Sequence, residues 1–349
     1  MVDHPYKKLP DKSFWKRAVS SRHYEDMAEL WQPPSFDGSE KFATAGSCFA
    51  QHIGRHVSQR GRSNYLDFEK APLALPESEH GRFGYGIYSC RYGNIYTSRQ
   101  LLQIAQEALG ERPQSPHVWE RDGRFFDAIR PSVDPVGLES AEQVTNVRQQ
   151  HLRKVRQMLE QLDVMIFTLG LTETWVSPAD GTVFPNAPGV VAGNLSDNPA
   201  EFYNLKATDS IAEMETFWSM LKNVNPKARM ILTVSPVPLI ATASGDHVLA
   251  ATTYSKSALR VVAHELAQNN RDVHYFPSYE IINSAQGRGY YFDPDLRSVN
   301  DRGVEYVMSH FFTGELGEAF PSADAQQPSG DVVCDEEAIE RRVTADVNG

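Results

Sequence analysis

The sequence predicts a three-layer α/β/α domain built on a parallel sheet. Short, mainly apolar runs of strand length recur along the chain, and three of them each follow a longer amphipathic stretch with helical spacing. A fourth run, nearer the N-terminus, ends in Gly-Ser and opens into helical spacing. Helix then strand, repeated, requires crossovers that cover both faces of a parallel sheet.

Taken in order, residues 1–40 carry Pro5, Pro10, Pro33 and Pro34 with Tyr6, Phe14 and Trp15 set between charges. Aromatic side chains favour burial, so this segment is expected as an arm packed on the core, against a floppy polar leader. A first strand is expected over Lys41–Ala45, ended by Gly46-Ser47, with Phe49, Ile53 and Val57 on one face of the helix that follows. Residues 65–135 break the rhythm with Gly81, Gly84, Gly86, Gly93 and many aromatics, including Tyr85, Tyr88, Tyr92, Tyr96, Trp119, Phe125 and Phe126. They read as an irregular insertion, either lining one side of a pocket or making a surface excursion between strands. Helices over Ala141–Leu162, Ser210–Asn223 and Ser255–Ala267 each place an apolar stripe on one side. Strands Val164–Leu169, Met230–Val234 and Val273–Phe276 follow them. The domain is expected to run over 41–320, and the polar, acidic segment 321–349 is expected to be a disordered tail.

Composition narrows the function classes. The 349 residues include 34 basic and 45 acidic side chains, a formal charge of −11, with no Lys/Arg-rich run. Phosphate contacts need clustered positive charge, so nucleic acid and anionic membranes are not expected partners. Three dispersed cysteines, Cys48, Cys90 and Cys334, form no CxxC pair and no disulfide framework. No stretch approaches 18 uninterrupted apolar residues and no h-region opens the chain, which suggests a cytoplasmic, unanchored protein. There is no HExxH, phosphate-cradling glycine loop or EF-hand spacing, so neither a metal nor a nucleotide cofactor is implied.

Ligands in open α/β sheets bind beyond the carboxyl ends of the strands, which directs attention to four segments. The first is Gly46-Ser47-Cys48-Phe49-Ala50, where Ser47 is either a helix N-cap or a side chain facing the site, and unpaired N–H groups at the helix start could steady an oxyanion. The second is Thr168 to Trp175, with Gly170, Thr172 and Glu173 where a strand opens into polar residues. The third is Ser235-Pro236-Val237-Pro238, followed by Asp246 and His247, and the fourth is Phe292 to Asn300, containing Asp295-Leu296-Arg297-Ser298.

The Gly-Ser-Cys-Phe-Ala string resembles the signature of the GSCFA family, a group related to the SGNH/GDSL esterases. His4-Pro5-Tyr6, Tyr92-Gly93-Asn94-Ile95-Tyr96, Thr168 to Trp175, Ser235-Pro236-Val237 and Tyr254-Ser255-Lys256-Ser257 resemble family landmarks in the expected order. The resemblance covers roughly residues 4–312. It implies a flavodoxin-like α/β/α domain in which Ser47 attacks an ester carbonyl and its own N–H helps form the oxyanion hole. Gly93 or Asn94, and Gly170 with Thr172 or Glu173, stand where the family's further oxyanion groups would be. The last block of the SGNH enzymes carries Asp-x-x-His, whereas here Asp295 is followed by Ser298.

A serine hydroxyl needs a base at neutral pH, so another residue must supply it. Of eleven histidines, His247 follows a strand end beside Asp246 and is the expected substitute. His310 lies along a helix, and His52 and His56 point along the helix after Ser47. Cys48 is a rival nucleophile, since a helix N-terminus lowers a thiol's pKa. The resemblance therefore implies a serine esterase or acyl-transfer enzyme acting on acyl esters, O-acetyl groups on carbohydrate foremost, with Asp295 as orienter. The rival is a binding protein for a glycan or acylated ligand on a hydrolase scaffold, suggested by Ser298.

Overall fold

A computed structural model describes residues 4–60, 64–319 and 337–348. From the N-terminus its regular elements begin with β1 (Phe42–Gly46), α1 (Ala50–Arg60), α2 (Ser98–Leu109) and the hairpin β2 (Val118–Arg121) with β3 (Arg124–Asp127). Next come α3 (Ala141–Gln161), β4 (Val164–Leu169), β5 (Glu173–Val176), β6 (Val183–Phe184), β7 (Glu201–Asn204) and α4 (Ala207–Val224). The last are β8 (Arg229–Val234), α5 (Val248–Asn269), β9 (Val273–Phe276), α6 (Ser278–Asn283), α7 (Asp301–Phe311), α8 (Gly314–Ala319) and α9 (Glu337–Asn348).

The central sheet is parallel, in the order β1-β4-β8-β9. Residues 64–66 run beside the free edge of β1, where Phe42 N donates to Asn64 O and Leu66 N to Phe42 O. Counting that short parallel segment as a second strand gives the order 2-1-3-4-5 of the flavodoxin-like fold. Successive strand residues face opposite layers. Phe42, Val164, Ile166, Ile231 and Phe276 meet Ile53 and Val57 of α1, Ile281 of α6 and Val307 and Phe311 of α7. Ala43, Ala45, Met165, Phe167, Leu169, Met230, Leu232 and Val234 meet the apolar stripes of α2 to α5. The three-layer prediction holds, and β4 and β9 keep their expected bounds.

Within the sheet β1 runs Phe42–Gly46 and β8 Arg229–Val234, each one residue from its expected bounds, and the larger differences lie outside it. Helix α5 starts at Val248 because His247 caps it, its Nδ1 accepting Leu249 N at 3.1 Å. The region expected as an irregular insertion contains α2, opened by a Thr97/Gln100 capping box and packed into the core. Most of its aromatics are core side chains rather than pocket lining, Trp119 and Phe126 packing with Phe184. In the arm, Trp31 and Phe36 are buried against the sheet, whereas Tyr6 and Trp15 are exposed. The expected disordered tail falls partly outside the described residues; of the rest, 337–348 form α9. Among the described residues no helix is long and apolar enough to cross a membrane.

A buried charge network fastens the β2–β3 hairpin to the domain. Asp127 accepts Arg130 Nε at 2.8 Å and Arg148 Nε at 3.0 Å, and Arg148 also donates to the Ser115 and His117 carbonyls. Burial pushes the Asp127 carboxyl up, but the charges and hydrogen bonds of the two guanidinium groups outweigh it and hold the pKa far below the usual range. Replacing Asp127 by Asn leaves two buried arginines short of their counter-charge. We expect a loss of about 3–5 kcal/mol, measured by urea denaturation.

Candidate active site

Three strand ends and one helix converge beyond the carboxyl edge of the sheet. Gly46, the last residue of β1, has φ +140°, and a Cβ there would lie 2.6 Å from Thr168 O. Only glycine allows β1 to approach β4 so closely. Ser47 N then donates to Thr168 O at 3.1 Å, and Ala50 N donates back to Ser47 O at 2.8 Å as the chain turns into α1. Ser47 is 2% exposed, and its Oγ has no hydrogen-bond partner among the described residues. An unpaired buried hydroxyl costs on the order of 1–3 kcal/mol. It lines a narrow cavity with Cys48, Tyr96, Gly170, Ser235, Leu239 and Lys256, among others.

Gly170, just past β4, closes the opposite wall. Its N–H donates to Tyr96 O at 2.9 Å, and a Cβ on it would lie 2.8 Å from Ser47 Cβ. Its carbonyl accepts Lys256 Nζ of α5 at 2.6 Å, and Lys256 is 2% exposed. Lysine is almost never so buried without a polar partner. Ser235 enters from β8, its N–H donating to Leu169 O at 2.9 Å.

A larger groove adjoins this cavity and shares Pro238 and Leu239 with it. Asp295 and Ser298 form part of its wall, Arg297 Nε donates to Pro238 O at 3.2 Å, and Glu340 and Arg341 of α9 face it from the other side. These geometric features centre on one stretch of chain, and the family model for the GSCFA family matches residues 41–311. The chain belongs to the GSCFA family. No curated protein matches it. Among solved structures it is similar to a carbohydrate esterase family 3 protein from Talaromyces cellulolyticus, at 9% identity and TM-score 0.35 over 78% of this chain and 94% of that one. It is also similar to an acetyl xylan esterase from the rumen bacterium Butyrivibrio proteoclasticus, at 14% identity and TM-score 0.24 over 71% and 57%.

In this GSCFA protein the residues expected to share a site are dispersed. His247 is exposed and does not reach Ser47: its Nδ1 faces the first turn of α5 as the cap. Asp295 is also exposed, and its carboxylate accepts the N–H groups of Arg297 and Ser298, both at 2.9 Å, and Ser298 Oγ–H at 2.6 Å. Those bonds hold together a turn in which Leu296 takes a left-handed φ of 56°. Partial burial raises the Asp295 pKa, but the Ser298 hydroxyl and the two N–H groups lower it further, so the carboxyl sits below its ordinary value. His310 is buried within α7, its Nδ1 2.9 Å from Tyr306 O.

The oxyanion candidates divide likewise. The Ser47 N–H expected to face an oxyanion is bonded to Thr168 O instead, because the glycine turn brings the two backbones together. Gly93 and Asn94 line a separate recess with Gln51 and Tyr88. Asn94 Oδ1 accepts Gln51 Nε2 at 3.1 Å, and the Tyr88 hydroxyl lies between Asn94 Oδ1 and Ser47 O. Thr172 is buried, donating its N–H to Ser255 Oγ and its hydroxyl to Asn204 Oδ1. Glu173 points to the segment after β8, accepting Thr242 Oγ1–H at 2.5 Å. Of the catalytic and oxyanion candidates, Ser47, Gly170 and the rival nucleophile Cys48 share the cavity, joined by Tyr96, Ser235 and Lys256. Lys256 is the addition, and among the described residues no histidine or carboxylate lines that cavity.

The packing on Ser47 and the burial of α1 can both be measured. Gly170→Ala forces its methyl onto Ser47 and Tyr96 and should cost about 1–3 kcal/mol, read from the urea midpoint. His52 and His56, on α1, are held at about 3 and about 4, by burial first and by the Arg55 and Arg60 charges second. Unfolded histidine takes up its proton near 6.5, so their contribution is complete above that pH and is lost as pH falls toward 3. The urea midpoint should therefore drop between pH 7 and 5, and His52→Gln should lessen the drop.

Proposed function

We propose that this protein is a serine-dependent esterase or acyl-transfer enzyme in which Ser47 Oγ is the nucleophile. The observation that carries the proposal is the buried, unpartnered Ser47 Oγ facing a cavity at the carboxyl ends of β1, β4 and β8. A hydroxyl left without a partner in a buried site is expensive to keep, and a catalytic role is one explanation for such a group. The family resemblance to SGNH esterases supports the same residue for the same role.

The narrow cavity favours a short acyl group such as acetyl, because Gly170 and Tyr96 crowd Ser47 on one side. The alcohol portion then falls in the adjoining groove, whose lining mixes Thr252, Asn283 and Arg341 with the faces of Tyr279 and Phe292. Hydroxyl-binding polar groups beside aromatic faces suit a carbohydrate. Water or a second sugar hydroxyl can accept the acyl group, which makes hydrolysis and transfer variants of one mechanism.

A second proposal, a non-catalytic binding protein for a glycan or acylated ligand, draws on the Asp295–Ser298 bond, since that carboxylate is engaged by a serine where SGNH enzymes place a histidine. Fluorophosphonate labelling followed by intact mass separates the two. The enzyme proposal expects one adduct on wild type and on Cys48→Ala, none on Ser47→Ala, and p-nitrophenyl acetate turnover reduced at least 100-fold in Ser47→Ala. A folded wild type with neither adduct nor turnover leaves the binding scaffold standing. Adding a sugar acceptor then distinguishes transfer, which yields an acylated sugar, from hydrolysis, which yields free acid alone.

A further inference from the structure

We infer that Lys256 is the general base for Ser47, the two forming a Ser–Lys pair in place of a Ser–His pair. The inference rests on the proposal that Ser47 is the nucleophile, and adds the residue that activates it. Four observations carry it. Lys256 and Ser47 line the same narrow cavity, and each is 2% exposed. Lys256 Nζ is anchored 2.6 Å from Gly170 O, and Gly170 packs so tightly on Ser47 that an added Cβ would lie 2.8 Å from Ser47 Cβ. Among the described residues no histidine, aspartate or glutamate lines that cavity. The neighbours of Lys256 on α5 tie the helix to the segments around Gly170: Thr172 N, just past β4, donates to Ser255 Oγ at 3.0 Å, and Tyr254 OH donates to the carbonyl of Leu205, just past β7, at 3.3 Å.

A neutral amine has two N–H donors and one lone pair. One donor can stay on Gly170 O while the lone pair accepts a proton, so the anchoring bond orients the base without consuming its acceptor. Withdrawal from water disfavours the ammonium form of a lysine, the property that suits buried lysines to general-base work. Ser47 Oγ and Nζ are not bonded to each other in the unliganded protein, and such contacts commonly tighten only when substrate binds.

The chemistry balances. Nζ takes the Ser47 hydroxyl proton as Oγ bonds to the ester carbonyl carbon, giving a tetrahedral adduct and an ammonium. Collapse breaks the bond to the leaving oxygen, which receives the proton from Nζ and departs as the alcohol. Water then attacks the acyl-enzyme, giving one proton to Nζ; the carboxylic acid leaves as Oγ recovers that proton. With a sugar hydroxyl in place of water the same sequence transfers the acyl group.

The test measures the rate of fluorophosphonate labelling by intact mass from pH 6 to 10 for wild type, Lys256→Met and Lys256→Arg, with thermal melts on all three. Lys256→Arg keeps a positive charge but cannot act as a base near neutrality. We expect wild-type labelling to rise with pH to a plateau, and both variants to label at least 100-fold more slowly, the usual span of base catalysis. Wild-type rates in Lys256→Met, or in Lys256→Arg, overturn the inference while leaving Ser47 as nucleophile. If the melts show both variants unfolded, the wild-type profile decides: a rate independent of pH over this range overturns the inference, and a rise to a plateau supports it. Absence of any wild-type labelling overturns the Ser47 proposal and this inference together.

Discussion

The close approach of two backbones, β1 to β4, is the constraint on which the rest of this molecule turns. At Gly46 the strands come so near that a single methyl would lie within 2.6 Å of the Thr168 carbonyl. A turn later Gly170 meets Ser47 on equally tight terms. Neither contact tolerates a side chain, and together they fix where the serine hydroxyl points. The parallel register, Gly46 opposite Thr168, sets that geometry, so the position of Ser47 is determined by the pairing of β1 with β4.

Around this contact the protein distributes polar groups unevenly. The β2–β3 region pairs most of its charges: Asp127 meets Arg130 and Arg148, and Arg91 meets Asp134 at 2.9 Å, with Arg130 Nη2 the nitrogen left over among the described residues. Such buried pairs contribute little net stability over an apolar filling but strongly disfavour alternatives in which one partner is stranded. The cavity at Ser47 is the opposite case. It holds a hydroxyl with no partner among the described residues and a lysine buried to the same degree. Ion pairs hold the frame at β2–β3, whereas the Ser47 hydroxyl is buried without a hydrogen bond among the described residues.

Much of this was legible in the sequence for plain reasons. Val164–Leu169 is almost wholly apolar and buried on both faces, as a strand covered on both sides can be, Val273–Phe276 is a shorter edge strand with buried ends, and the stripes of α3, α4 and α5 have a single helical period. Ser47 was legible because glycine followed by serine after a strand is a turn toward the carboxyl edge. Helix α2 was obscured by the glycines and tyrosines before it, although Thr97 and Gln100 carry the spacing of a capping box. His247 misled because adjacency to Asp246 in the sequence says nothing of direction, and a residue entering a helix turns its ring back onto the first turn. Lys256 was visible as part of a Tyr-Ser-Lys-Ser string, but its depth was not. The available signal was its place three residues before Leu259, on the stripe that continues through Val262, Ala263 and Leu266 and is buried along its length.

The pairing of β1 with β4 also has a meaning in time. Phe42 must wait for Val164, a partner 122 positions later. At synthesis rates of about 5–20 residues per second, the first strand is on the ribosome for on the order of ten seconds before its neighbour exists. During that interval a mainly apolar segment ending in the Gly-Ser turn has no sheet to join, apart from the short 64–66 segment on its other edge. Burial of Ser47 is thus a late event in the life of the nascent chain, reached only after α3 and β4 have emerged. A fold of such high contact order is slow to form and exposes a sticky edge while it does so.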